Sequence, residues 1–171
     1  LVLWNFSKHL IRPRILNIQF AVLLIISVLA FSVAKPIVLY GEQHKYKDKI
    51  IYQEQTRYQK IVVTQWKENF WLFINGSTQF STYDEERYHE PLVHPVMSLI
   101  KEHKDILLLG AGDGLAAREI LKYPDVESLT LVDLDPAMTR LARQHNMFLE
   151  INQGSLNDPR VQVFNKDAYQ F

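Results

Sequence analysis

The chain has 171 residues, with 19 Lys and Arg balanced by 19 Asp and Glu, and no cysteine. Its length and an apolar fraction of 47% leave room for one domain with a real core plus an appendage. Balanced charge gives no basic surplus for nucleic acid and no acidic surplus for disorder, and the missing thiols exclude disulfides and thiolate metal sites.

Ile15 to Ala34 runs without a charge, flanked by Lys8, Arg12 and Arg14 on one side and Lys35 on the other. As a helix rising about 1.5 Å per residue it spans ~30 Å, the thickness of a bilayer's hydrocarbon core. The pattern predicts a transmembrane helix within residues 15–40, after a juxtamembrane segment at 1–14. A secretory signal ending at Ser32-Val33-Ala34 and a buried core helix are the rival readings. Lys35, Lys45, Lys47 and Lys49 offset the cations before the helix, so charge counting leaves its orientation open. Residues 41–49 are polar and read as a linker. With Leu1 at one end and Phe171 just after a strand at the other, the sequence is expected to be a piece of a longer protein.

Strand signals fill residues 50–83. Ile50 to Glu54 and Tyr58 to Thr64 are rich in aromatic and β-branched residues, and Phe70 to Ile74 is closed by Asn75-Gly76. That dipeptide favours a type I′ hairpin, from which Thr78 to Ser81 can return. A small antiparallel sheet of about three or four strands is predicted. Thr82 followed by Asp84, Glu85 and Glu86 suits a helix start, and Leu92, Val93, Val96, Met97 and Ile100 continue at helical spacing, with Pro91 and Pro95 expected to bend the helix.

Residues 84–171 then read as a parallel, doubly wound unit. Ile106 to Leu109 is a continuously apolar run, expected of a strand buried on both faces, and it stops at Gly110-Ala111-Gly112-Asp113-Gly114. Leu115 to Lys122 switches to a helical pattern, whose free N–H groups and positive dipole end would face a ligand. The third glycine of a dinucleotide fingerprint would fall at Leu115, so G-x-G-x-G fits instead the class that binds S-adenosylmethionine and its relatives. Ser128 to Val132 forms the next strand, ending at Asp133. Asp135 with Pro136 caps a helix expected to run to about Leu149, Asn152 to Pro159 is a loop, and Val161 to Phe164 is a third strand before Asp167.

In an open parallel sheet, ligands bind at the carboxyl ends of the strands. Asp133 lies 23 positions after Gly110, close to the spacing that puts an acid on ribose hydroxyls. Asp167 can accept an adenine amino group, with Ala168 offering a backbone N–H. Asp113 would stand beside the arm of the ligand that is not nucleoside. A carboxylate there repels an amino-acid arm and attracts one bearing only an ammonium, which points to decarboxylated S-adenosylmethionine.

Tyr58-Gln59, the hairpin Asn75-Gly76-Ser77-Thr78-Gln79-Phe80, Asp84-Glu85 with Tyr88-His89-Glu90, Gly110 to Gly114, and Val132-Asp133-Leu134-Asp135 stand in the order seen in polyamine aminopropyltransferases. From Ile51 to Phe171 the chain resembles the spermidine synthases, and its apolar helix resembles the membrane-attached branch of that family. The resemblance implies a Rossmann-like, methyltransferase-like α/β fold behind a small antiparallel β-sheet subdomain and one transmembrane helix. It implies that Gln59, Gly110, Gly112, Asp113, Gly114, Asp133, Asp167 and Ala168 hold the donor. Tyr88, His89 and Asp113 would face the amine. The reaction implied moves an aminopropyl group from decarboxylated S-adenosylmethionine, a co-substrate, to putrescine, with no cofactor and no metal. The catalytic base is expected beyond Phe171. The chain departs from the family in having Ala111 where Gly is frequent and Asp133 where Glu is common. A methyltransferase using intact S-adenosylmethionine, and a membrane-tethered polyamine or nucleoside sensor without catalysis, are the alternatives. A membrane location with the catalytic domain on the cytoplasmic side, no nucleic-acid partner, and assembly into homo-oligomers complete the expectations.

Overall fold

A computed structural model describes residues 13–171, and the juxtamembrane cations Lys8 and Arg12 lie outside the described residues. The chain divides into two units, one ending at Lys47 and the other spanning Asp48–Phe171.

The first unit is built on helix α1 (Pro13–Gln43), which runs past the predicted end of the span and takes in Pro36. From Ile15 to Gln43 it is long and apolar enough to cross a membrane, and none of its most apolar window is buried. Its two serines do not interrupt that surface, because Ser27 Oγ donates to the Leu23 carbonyl and Ser32 Oγ to that of Val28, each at 2.8 Å. The helix also enters the segment expected to be linker. Glu42 and Gln43 are good helix formers, and Glu42 pairs with Lys45 at 2.7 Å where the chain turns away.

The second unit begins with an antiparallel sheet in the order β1 (Lys49–Gln55), β2 (Lys60–Trp66), β3 (Asn69–Ile74) and β4 (Ser77–Ser81). Asn75 and Gly76 both adopt positive φ, +52° and +83°, as a type I′ turn requires. Ile61, Val63, Phe70, Leu72 and Phe80 join the common hydrophobic core from this sheet.

Helix α2 (Glu86–Leu99) starts later than the predicted Thr82 cap. Thr82 Oγ1 is engaged elsewhere, accepting from Phe70 N and donating to Asn69 Oδ1, both at 3.1 Å. The buried face of α2 is His89, Val93 and Met97, four residues apart, whereas the expected core residues Leu92, Val96 and Ile100 are exposed.

A parallel sheet follows in the order β5 (Asp105–Leu109), β6 (Ser128–Asp133) and β7 (Val161–Asn165). Its strands alternate with α3 (Leu115–Leu121) and the pair α4 (Pro136–Gln144) and α5 (Asn146–Ile151). Two expectations are corrected here. Strand β5 is not covered on both faces: Leu107 and Leu109 are each 55% exposed, because among the described residues the core lies against one face of this sheet. The helix expected to reach Leu149 breaks at His145, whose extended backbone turns α5 inward so that Phe148 meets Phe70 and Phe80 at ring distances of 5.8 and 6.1 Å. The cap at Asp135 forms as read, its carboxylate accepting the Ala137 N–H at 3.0 Å with Pro136 beginning the helix.

Candidate active site

The glycine turn between β5 and α3 is shaped by its backbone. Gly110 and Gly114 take φ values of +81° and +85°, and Ala111 between them takes +61°, a left-handed conformation that costs a non-glycine residue about 1 kcal/mol. Gly112 is small for another reason. A Cβ there would lie 2.6 Å from Asp133 Oδ2, because the Gly112 N–H donates to that same oxygen at 2.9 Å. Asp133 Oδ1 accepts from Asp135 N, also at 2.9 Å, so one carboxylate ties the end of β6 to the turn.

The far side of the turn is held by a segment read from sequence only as a loop. Asn152 is fully buried, and its Nδ2 donates to the Asp113 and Ala142 carbonyls at 3.0 Å each. Ser155 Oγ donates to the Gly114 carbonyl at 2.6 Å and stands 2.8 Å from where a Cβ on Gly114 would be. Gly114 therefore supports the turn from behind and does not line the cavity in front of it.

Asp113 alters the expectation for α3. Its Oδ1 accepts the Leu115 N–H at 2.9 Å, so the start of the helix is met by the protein's own carboxylate and not left open for a ligand's anion. Such an end is poorly suited to a pyrophosphate and well suited to a cation.

In front of the turn lies a cavity of about 350 Å³ lined by Gln59, Gln79, Gly110, Gly112, Asp113, Asp133, Asp167 and Ala168, among others. Most of the expected donor residues thus converge, from the residue just before β2, the glycine turn, the end of β6 and the segment after β7. Burial, reinforced by the charges of Asp133 and Glu85, pushes the Asp113 carboxyl above its ordinary range, against the Leu115 N–H and the charge of His89. Burial and the charge of Asp135 push Asp133 the same way, against its two backbone donors. Ionised carboxylates crowded here are stabilised by an incoming cation.

Gln79 went unassigned at the sequence level, although it sits in the quoted hairpin motif next to the inward-facing Phe80. It lines this cavity and a second one of about 460 Å³, whose walls include Trp71, Tyr83, Asp84, Glu85 and Tyr88. Tyr88 belongs to that second cavity. His89 lines neither; it is buried beneath them, its Nδ1 2.9 Å from Glu85 Oε2.

Behind Glu85 runs an ion-pair chain that sequence patterns did not reveal. Arg118 bonds to Glu85 at 2.8 Å and to Glu119 at 2.8 Å, and Glu119 also takes Lys122 at 2.5 Å and His94 at 3.0 Å. Burial acts on Glu119 to raise its carboxyl, but the bonds from Lys122 and Arg118 prevail and hold it below the ordinary range. Glu90, His94 and Glu119 bring possible ligand atoms within 4.8 Å of one another, yet those two cations already meet the charge of Glu119, so the cluster fits an ion-pair network and not a metal centre.

Residues 85–171 match the spermine/spermidine synthase domain. The chain belongs to that family. It is 46% identical to the polyamine aminopropyltransferase of Oceanobacillus iheyensis over 174 aligned residues, covering 100% of this chain and 33% of the relative. It is 49% identical to that of Leptospira interrogans, covering 97% of this chain and 33% of the relative. The spermidine synthase of Thermotoga maritima superposes with a TM-score of 0.66 at 29% identity, over 71% of this chain and 42% of that structure. A spermidine synthase in complex with the transition-state analogue AdoDATO matches equally well, with a TM-score of 0.66. The chain spans about a third of the length of the curated relatives it matches, 33% in both cases. As a member of the spermidine synthase family it has the expected architecture, a small antiparallel sheet before a parallel α/β unit.

Proposed function

We propose that the protein containing this chain is an aminopropyltransferase that uses decarboxylated S-adenosylmethionine as co-substrate and putrescine as acceptor. The observation that carries this reading is Asp113 inside the glycine turn, with its carboxylate on the donor cavity and bonded to the start of α3. The sulfonium and ammonium of the decarboxylated donor meet attraction there, whereas the carboxylate of intact S-adenosylmethionine meets repulsion. Asp133 keeps unused lone pairs beside its bonds to Gly112 and Asp135, and these would accept the ribose hydroxyls. Asp167 and Ala168 would meet the adenine, and Gln59, just before β2, would close the pocket.

Putrescine would enter from the second cavity, where Trp71, Tyr83 and Tyr88 offer aromatic faces and Asp84 offers a carboxylate to an ammonium group. In the reaction the neutral amine nitrogen attacks the carbon next to the sulfonium. The new C–N bond forms as the C–S bond breaks, and the bonding pair passes to sulfur, giving methylthioadenosine. The proton leaves the new secondary ammonium to a general base. The chain's own part is alignment of the two reactants and exclusion of water. The transfer needs neither metal nor bound cofactor.

Helix α1 would anchor the enzyme in the cell membrane, a reading supported by its length and its apolar exposed surface. The donor is a cytosolic metabolite, which places the catalytic unit on the cytoplasmic side, and assembly into homo-oligomers follows the family resemblance. Calorimetry on the purified protein tests the assignment. Decarboxylated donor is expected to bind at least about tenfold more tightly than intact S-adenosylmethionine, a difference of about 1.4 kcal/mol. Tighter binding of the intact donor would instead favour methyl transfer.

A further inference from the structure

The loop between β1 and β2, residues 56–59, is organised by one hydroxyl. Thr56 Oγ1 accepts the Tyr58 and Gln59 N–H groups at 3.0 Å each, and the Thr56 N–H donates to the Gln59 carbonyl at 2.9 Å. The hydroxyl has one proton and two oxygens in reach, the Gln59 carbonyl at 3.0 Å and Asp135 Oδ2 at 2.8 Å. That carbonyl already takes the Thr56 N–H, and a carboxylate is the stronger acceptor, so the proton goes to Asp135. A hydroxyl on Cβ can reach amides two and three residues ahead, which is why threonine suits this turn.

Asp135 does more than cap α4. It is buried, its Oδ1 accepts the Ala137 N–H at 3.0 Å, its Oδ2 takes Thr56, and its own N–H donates to Asp133 Oδ1 at 2.9 Å. Asp133 Oδ2 in turn accepts the Gly112 N–H at 2.9 Å. An unbroken series of hydrogen bonds therefore runs from the glycine turn through Asp133 and Asp135 to Thr56 and the Gln59 amide. Gly112, Asp133, Asp135 and Gln59 all line the donor cavity, so the series ties its walls together. Arg140 of α4 also holds Glu54 of β1 at 2.8 Å, but that pair lies at the surface and is worth little. The bond to the buried Asp135 carboxylate, where water competes less, is the firmer tie between the antiparallel sheet and α4.

We propose that Thr56 is a positioning residue for the donor: its hydroxyl docks the β1–β2 loop on the Asp135 carboxylate and so holds Gln59 in the same cavity wall as Asp133. The proposal rests on the reading of this cavity as the donor site, and it assigns to Asp135 the task of registering the sheet against the ribose acid.

A double-mutant cycle on the complete protein, read by calorimetric titration with methylthioadenosine, tests it. Thr56→Val keeps the shape of the side chain but leaves Asp135 Oδ2 and two amides without their partner, and should weaken binding about tenfold. Gln59→Ala should weaken it by a similar factor. The double variant should bind no more than about twofold worse than either single one, because Thr56 acts through Gln59. Thr56→Ser retains the hydroxyl and should bind within about twofold of wild type, a rescue that a role in packing alone would not give. Losses that multiply in the double variant, or a serine variant as weak as the valine one, would overturn the proposal. Hydrogen exchange in the wild type decides the matter if Thr56→Val does not fold. The Tyr58 and Gln59 amides, both bonded to Oγ1, should exchange at least about tenfold more slowly with saturating methylthioadenosine, since the ligand binds the docked loop. Unchanged exchange at both amides would overturn it. A wild type that binds no methylthioadenosine would fail the donor reading instead, and the same cycle run with S-adenosylmethionine would then decide the role of Thr56 by the same outcomes.

Discussion

Replacing Gly112 with alanine perturbs the contact on which the ribose side of the site depends. Gly112 is not among the positive-φ residues, so the substitution adds no backbone strain of that kind and acts through its methyl group. That methyl would sit 2.6 Å from Asp133 Oδ2 and 2.7 Å from Cγ, inside the contact distance of any carbon with either atom. The carboxylate must move. It is tethered by the amides of Gly112 and Asp135, each at 2.9 Å, and displacement breaks at least the first of these bonds. A hydrogen bond to a charged group is worth about 1.5–3 kcal/mol, and the displaced carboxylate loses a comparable bond to the ribose. Methylthioadenosine should therefore bind about ten- to a hundredfold more weakly. The assay is calorimetric titration of wild type and Gly112→Ala with methylthioadenosine. Gly76→Ala serves as the comparison, since Gly76 has φ +83° with open space at its Cβ and is not among the residues lining the donor cavity. That variant should lose about 1 kcal/mol of stability with unchanged affinity. Binding by Gly112→Ala within about twofold of wild type would show that the added methyl does not displace the Asp133 carboxylate from the ligand.

Asp113→Asn should separate stability from function. Burial raises the Asp113 carboxyl, so the folded state holds its proton more tightly than the unfolded chain, and stability falls as pH rises above about 4, the ordinary carboxylate value. The amide retains an oxygen for the Leu115 N–H and removes the charge, so the ligand-free variant should melt higher than wild type at pH 7, the gap closing toward pH 4. Thermal unfolding across that range checks the sign, and a variant that melts lower at pH 7 contradicts it. The same substitution should weaken binding of the decarboxylated donor more than that of methylthioadenosine, which has no ammonium. For α1, Leu24→Arg places a charge in the apolar span at a cost of about 3 kcal/mol in a bilayer, and should reduce the carbonate-resistant membrane fraction. Wild-type protein found wholly in the soluble fraction would contradict the anchor.

The features legible in the sequence are those written in short-range chemistry. Asn75-Gly76 announces a turn with two positive φ values, Asp135-Pro136 announces a capped helix, and the apolar run before Gly110 announces a strand entering a glycine turn. Asp133 and Asp167 are legible because the order of strands and helices fixes their element ends, Gln59 only through the family resemblance, and all three line one cavity. What escaped depends on partners distant in sequence. Asn152 and Ser155 support the turn through carbonyls 39 and 41 residues away, and Glu85 meets Arg118 across 33 residues. Local patterns also misjudged faces. Leu107 and Leu109 have the composition of a doubly covered strand, but covering is a property of neighbouring layers. Asp113 lay between the two cases. Its place in the turn pointed to a cationic ligand, but its bond to Leu115 became evident only once the helix start was in view.

The proposed transfer breaks the bond from sulfur to the aminopropyl carbon and leaves the bond to the methyl group intact. Purified protein supplied with decarboxylated S-adenosylmethionine and putrescine should release methylthioadenosine and spermidine in equal amounts, followed by mass spectrometry, with no methylated amine from intact S-adenosylmethionine. Methyl transfer from the intact donor, with no methylthioadenosine formed from the decarboxylated one, would make the protein a methyltransferase and not an aminopropyltransferase.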